Sequence, residues 1–203
     1  MTFRRWFAAF ALLSLGLAAN PAQAAGKSAE DVITAFHGQL LAVMKEADSL
    51  GINGRYQRLK APVTGTIDLS RMIRIASGSF WHKATPEERS KLLQAFTHLS
   101  ISTYAARFDG YSGQRFETTG SQPGPQQTIL VKTRIVNGEE SIPLTYVLKQ
   151  SDGIWRVADI LLKNTISELA VRRSEYRRIL KQSGTEGLRQ ALAAKAAAML
   201  SGK

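Results

Sequence analysis

The chain has 203 residues, with 27 Lys and Arg against 16 Asp and Glu, and a formal net charge of +11. With 44% hydrophobic and 21% charged residues, this is globular composition, long enough for one domain with a sizeable core and too apolar throughout for a disordered basic tail. The absence of cysteine excludes a disulfide scaffold, a thiolate metal site, a cysteine nucleophile and a cysteine-linked lipid anchor.

Residues 1–24 read as a secretory signal peptide. Arg4 and Arg5 form the charged start, Phe7 to Ala19 is almost wholly apolar, and Ala22-Gln23-Ala24 gives the small-x-small cleavage pattern. The apolar stretch is shorter than the roughly 20 residues a spanning helix needs, so cleavage rather than anchoring is expected. Residues 25–203 then form the mature, exported domain. A basic protein outside the cytoplasm meets anionic lipid surfaces more readily than nucleic acid.

The mature chain opens with Ser28 and Asp31 as a capping pair, and Val32, Phe36, Leu40 and Val43 follow at helical spacing. Gly51 to Gly54 is read as the break that ends this helix. Asp68 to Ile75 is a second, short helix closed by Ser77-Gly78. Thr85-Pro86-Glu87-Glu88 starts a third, with Thr85 as cap and Pro86 at the first helical position. Leu92, Phe96, Leu99 and Thr103 repeat on one of its faces to about Phe108.

The period then changes from helical to alternating. Arg115 to Thr119 reads as a strand and Gly120 to Gln127 as a loop. Ile129, Val131, Thr133 and Ile135 alternate up to Asn137-Gly138, a strong hairpin signal, and Ile142, Leu144, Tyr146 and Leu148 alternate on the return. Asp152-Gly153 marks another turn before a strand from Ile154 to Leu162. Thr165 and Glu168 are read as a capping box for a last helix, with Ile166, Leu169, Tyr176 and Leu180 on one face. Gly184 interrupts it, Thr185 restarts it, and an alanine-rich stretch follows. Helices, an antiparallel meander of three to five strands, then helices predict an α+β domain with helices covering one face of a curved sheet.

No catalytic motif emerges. His37, His82 and His98 lie in separate elements without metal-ligand spacing and read as surface or half-buried residues; Glu139 and Glu140 follow a turn and read as solvated. Asp159 sits in an apolar strand, on the same face as Trp155 and Val157 by strict alternation. It is either a general base with a raised pKa lining a pocket or a structural acid tied to an Arg or to backbone N–H groups. Arg172, Arg173, Arg177 and Arg178 give the last helix broad basic faces. These are either simply solvated or a docking surface for anionic headgroups or an acidic partner.

Two segments together resemble the MlaC, or toluene-tolerance, family. One runs from Asp68-Leu69-Ser70-Arg71-Met72 through Trp81, Thr85-Pro86-Glu87-Glu88 and Phe96 to Thr103-Tyr104. The other is Gly153-Ile154-Trp155-Arg156-Val157-Ala158-Asp159-Ile160, similar to the family's W-x-V-x-D-V strand. Asn164-Thr165-Ile166-Ser167 stands where the family has a G-x-S step. The continuation Ile166 to Tyr176 is closer to the hopanoid-associated HpnM branch.

The resemblance implies a periplasmic lipid carrier without cofactor or metal, holding a phospholipid in an apolar cavity between sheet and helices. It further implies traffic between an outer-membrane complex and an inner-membrane ABC transporter with an MCE subunit. For the HpnM branch it implies a hopanoid cargo and an RND-type transporter. The expected wall is Ile129, Val131, Ile135, Leu144, Tyr146, Leu148, Trp155 and Val157 from the sheet, faced by Met72, Ile75, Leu92, Phe96 and Leu99 from the helices. Two other readings stay open: a pocket enzyme using Asp159, and a periplasmic adaptor that binds protein through the basic helix. Export argues against DNA binding.

Overall fold

Ser28 starts the first helix by accepting a hydrogen bond from the Asp31 backbone N–H, and the Asp31 carboxylate returns the bond to the Ser28 N–H. In the computed structural model, which describes residues 27–201, this helix is α1 (Ala29–Lys45). The signal segment expected at 1–24 lies outside the described residues. α2 (Ala47–Thr66) follows directly, and Gly51, at φ 56° and ψ −179°, kinks it. That glycine therefore bends a second helix rather than closing the first. The stretch after it, with Pro62 inside, is a helix that periodicity alone does not reveal: its buried residues are few and Pro62 is a breaker signal.

α3 (Leu69–Ser77) is capped by Asp68 and ended by Gly78 at φ 57°; a short α4 (Ser79–Lys83) leads to α5 (Pro86–Arg107). α5 has the expected Thr85–Glu88 capping box and proline start. The strands are β1 (Arg115–Gly124), β2 (Thr128–Asn137), β3 (Glu140–Ser151), β4 (Ile154–Leu162) and the two-residue β5 (Ile166–Ser167). They pair antiparallel in sequence order as one open sheet. Gly120 to Gly124, expected in a loop, continues β1 beyond a bulge at Thr119, so only the 3-10 turn Pro125–Gln127 separates β1 from β2. Gly138, at φ 58°, supplies the positive φ of the β2–β3 turn.

The last helix, α6 (Glu168–Leu200), is capped by Ser167 rather than Thr165, and Ile166 belongs to β5 and is exposed. Gly184, at φ 65° and ψ −165°, breaks it as the sequence predicts. The helices form one layer over one face of the sheet. α1 lies against β1, β2 and β4; α2 and α3 also meet β4; α5 joins α2, α3 and α6. Where α2 reaches the sheet, the Asp68 N–H donates to the Val157 carbonyl at 2.9 Å, fixing the entry to α3.

Candidate functional site

Strands β2 and β3 are 10 and 12 residues long, and the helix layer does not fill their whole inner face. At one end Val131, Leu148 and Val157 are fully buried and join the hydrophobic core with Ile33, Phe36 and Leu40 of α1. At the other end Ile135, Leu144, Tyr146, Ile160 and Leu162 face an open cavity of about 310 Å³. α3 closes it with Leu69 and Met72, α5 with Phe96, Ser100, Thr103, Tyr104, Arg107 and Phe108, and the first turns of α6 with Glu168 and Arg172. Ile142, 52% exposed, and exposed Arg107 mark the mouth.

The wall is more apolar than its residue names suggest. The Ser100 hydroxyl donates to the Phe96 carbonyl and the Thr103 hydroxyl to the Leu99 carbonyl, both at 2.8 Å, so neither hydroxyl presents a free donor. At the boundary between core and cavity, His37 Nε2 and the Tyr146 hydroxyl share a 3.0 Å hydrogen bond, and the imidazole stacks on Phe116 with ring centres 4.4 Å apart. Burial lowers the His37 pKa to about 4, and burial likewise raises that of Tyr146. His37 is thus a buried residue joining α1 to β3, not the surface or half-buried one expected. His82 is exposed, and half-buried His98 pairs with the Tyr56 hydroxyl at 2.8 Å.

Of the thirteen expected wall residues, Met72, Phe96, Ile135, Leu144 and Tyr146 line the cavity. Leu92, Leu99, Val131, Leu148 and Val157 are core residues away from it, while Ile129 and Trp155 are half-buried against that core. Ile75 is 36% exposed, because α3 turns Met72 and Ile73 inward and leaves Ile75 on the opposite side. The α5 stripe that meets the cavity is Phe96–Ser100–Thr103–Arg107, rotated from the Leu92–Phe96–Leu99 stripe that meets the other helices.

The largest departure from the sequence reading is in β4. Leu148 pairs with Val157, but Val147 pairs with Asp159, so Ala158 is an extra residue in β4. Such a bulge exchanges the two faces of a strand beyond it. Ile160 and Leu162 therefore turn toward the cavity with Tyr146 and Leu144, and Asp159 turns away. Its carboxylate accepts hydrogen bonds from the Ile160 and Leu169 N–H groups at 2.7 and 3.0 Å and from the Ser167 hydroxyl at 2.5 Å. Ser167 in turn caps α6. Asp159 is a structural acid that ties β4 to the start of α6, and it does not reach the cavity as a general base.

The four arginines do not share one surface. Arg173, Arg177 and Arg178 are exposed, but the Arg172 side chain is only 20% exposed and forms part of the cavity wall. Its guanidinium lies over the Phe96 ring at 5.4 Å, donates to the Tyr176 hydroxyl at 3.2 Å and faces the Glu168 carboxylate at 3.5 Å. Among the described residues no cluster of His, Asp or Glu could hold a metal ion, and no helix is long and apolar enough to cross a membrane.

An α+β fold whose sheet and helices part around an open apolar cavity defines the class of this protein. The MlaC protein family model matches residues 34–194, most of the chain, and the chain belongs to that family. A solved structure with the same fold is the phospholipid-binding protein of Ralstonia solanacearum, determined in complex with a phospholipid. The TM-score is 0.75 at 23% identity, over 85% of this chain and 99% of that one.

Proposed function

We propose that this protein is a periplasmic lipid carrier that shields the hydrocarbon of a phospholipid in the cavity between sheet and helices while the lipid moves between membranes. The observation that carries this reading is the cavity itself: an apolar volume, open at one end, between the sheet and the helices. At about 310 Å³ it stands at the lower edge of the roughly 300–1,000 Å³ of ligand sites, so a two-chain lipid requires the mouth to widen. Membership of the MlaC family and the phospholipid complex of the Ralstonia protein support the same reading.

Transfer needs no covalent chemistry. Each buried CH₂ is worth about 0.8 kcal/mol, in the cavity or in a bilayer alike, so a near-match between the two lets cargo move both ways. Asp159, the one acid weighed as a general base, is committed to the start of α6, so we assign no enzymatic activity. Arg173, Arg177 and Arg178 stand exposed on the helix that carries Arg172 into the wall, and we assign them to docking on anionic headgroups during exchange. An inner-membrane MCE-bearing ABC transporter and an outer-membrane complex are the partners that family resemblance suggests. The alternative, from the HpnM resemblance, is a hopanoid cargo with an RND-type transporter.

Uptake tests the reading. Delipidated protein incubated with phosphatidylglycerol–phosphatidylethanolamine vesicles and separated from them should carry about one lipid per chain. Protein that leaves with none, while remaining folded, contradicts it.

A further inference from the structure

Arg172 is poorly matched to its surroundings. Its Nε is buried without a hydrogen-bond acceptor among the described residues. The distance from its Nη2 to Glu168 is 3.5 Å, well beyond the roughly 2.7–2.9 Å of a strong charge-assisted bond, and Tyr176 engages only Nη1. Desolvation opposes the charge, but Tyr176, Glu168 and Tyr104 outweigh it and hold the pKa raised, so the group stays cationic. The neighbouring Tyr104 hydroxyl has no hydrogen-bond partner among the described residues, and burial pushes its pKa well up. Arg107 stands one helical turn further along α5, at the mouth. Two guanidinium groups against one carboxylate leave this wall with a net positive charge, in an otherwise apolar cavity.

A buried donor without an acceptor is costly, and planar guanidinium groups match carboxylate and phosphate oxygens. Building on the carrier reading, we infer that Arg172, with Tyr104 beside it, binds an anionic oxygen of the cargo, so the cavity selects acidic lipids over neutral ones of equal hydrocarbon content. The oxygen belongs to a headgroup phosphate or to a fatty-acid carboxylate; both present the same chemistry. A wholly hydrocarbon polycyclic lipid leaves the guanidinium without an acceptor, so the wall disfavours it.

The test compares lipids of equal acyl-chain content with and without an anionic headgroup: palmitate against cetyl alcohol, and dipalmitoyl phosphatidylglycerol against dipalmitoylglycerol. Affinities come from displacement of a fluorescent lipid from the delipidated full-length mature chain. The acidic member of at least one pair should bind about tenfold more tightly, a difference of about 1.4 kcal/mol. Preference in the palmitate pair alone assigns the site to carboxylates, and preference in the phosphatidylglycerol pair alone assigns it to phosphates. Arg172→Gln should abolish that preference, while Arg172→Lys restores part of it. Equal binding within both pairs by the unmodified protein overturns the inference and leaves the carrier reading intact. Equal losses for acidic and neutral lipids in Arg172→Gln also overturn it, since the residue then only supports the wall. No binding of any lipid refutes the carrier reading as well.

Discussion

Replacing Ser100 by leucine puts extra apolar atoms where the structure has empty space, so it should stabilise the protein and impair uptake together. Ser100 lies on the cavity side of α5, and its hydroxyl bonds only to the Phe96 carbonyl of its own helix. Losing that bond costs little, because the carbonyl keeps its helical partner. Leucine adds the equivalent of two methyl groups to the space, worth about 1.5 kcal/mol at roughly 0.8 kcal/mol per group. For a chain of this size that raises the melting temperature by about 3–6 °C. Ala105, fully buried on the same helix but absent from the cavity wall, is the control. Leucine there overfills a packed core and should cost about 1–3 kcal/mol. Thermal unfolding of delipidated protein, paired with the vesicle uptake assay, reads both effects. Destabilisation by both substitutions would place Ser100 in filled core, and a stabilised Ser100→Leu variant with unchanged uptake would separate the cavity from lipid binding.

Three further outcomes follow from named contacts. The His37 pKa is lower folded, about 4, than in an open chain, so the unfolded state binds more protons as pH falls from about 6.5 to 4. Stability should decline across that window by up to about 3 kcal/mol and level off below it, and urea titrations of His37→Gln should lose this slope; an unchanged slope assigns it to other groups. Asp159→Ala strands the donors at the start of α6 and should cost about 2–4 kcal/mol in chemical denaturation while the folded fraction keeps its lipid affinity; a stable variant with lost uptake would return Asp159 to the functional site. Reversing Arg173, Arg177 and Arg178 to Glu should weaken binding to anionic vesicles about a hundredfold or more at low salt, at roughly 1 kcal/mol per cation, without displacing lipid already held; unchanged vesicle flotation rules out this docking face.

The helix caps at Ser28 and Thr85 and the turns at Asn137-Gly138 and Asp152-Gly153 were readable because each depends on a few adjacent residues with known backbone demands. Alternation placed Leu144 and Tyr146 on the inner face for the same local reason. Whether such a residue meets a cavity or another side chain depends on how far α1 extends over the sheet, a tertiary fact that hydropathy does not carry. Val131 and Ile135 look alike in sequence, yet one is core and the other cavity wall. The Ala158 bulge was hidden as well. Strict alternation ran through it, which put Asp159 inward and missed Ile160 and Leu162. The one available signal was the acid itself, whose charge in an apolar strand is more easily met by the start of a following helix than by hydrocarbon. Arg172 was missed as a wall residue because a run of four arginines reads as a surface, and only the rotation of α6 separates the first from the rest.

The most direct test of the carrier account is quantitative mass spectrometry of an organic extract from protein purified out of a hopanoid-producing periplasm. The account predicts close to one phospholipid per chain, with acidic species enriched over their share of the membrane and the signal lost in Ser100→Leu. An extract without lipid, from folded protein that also takes up none from vesicles, would contradict it.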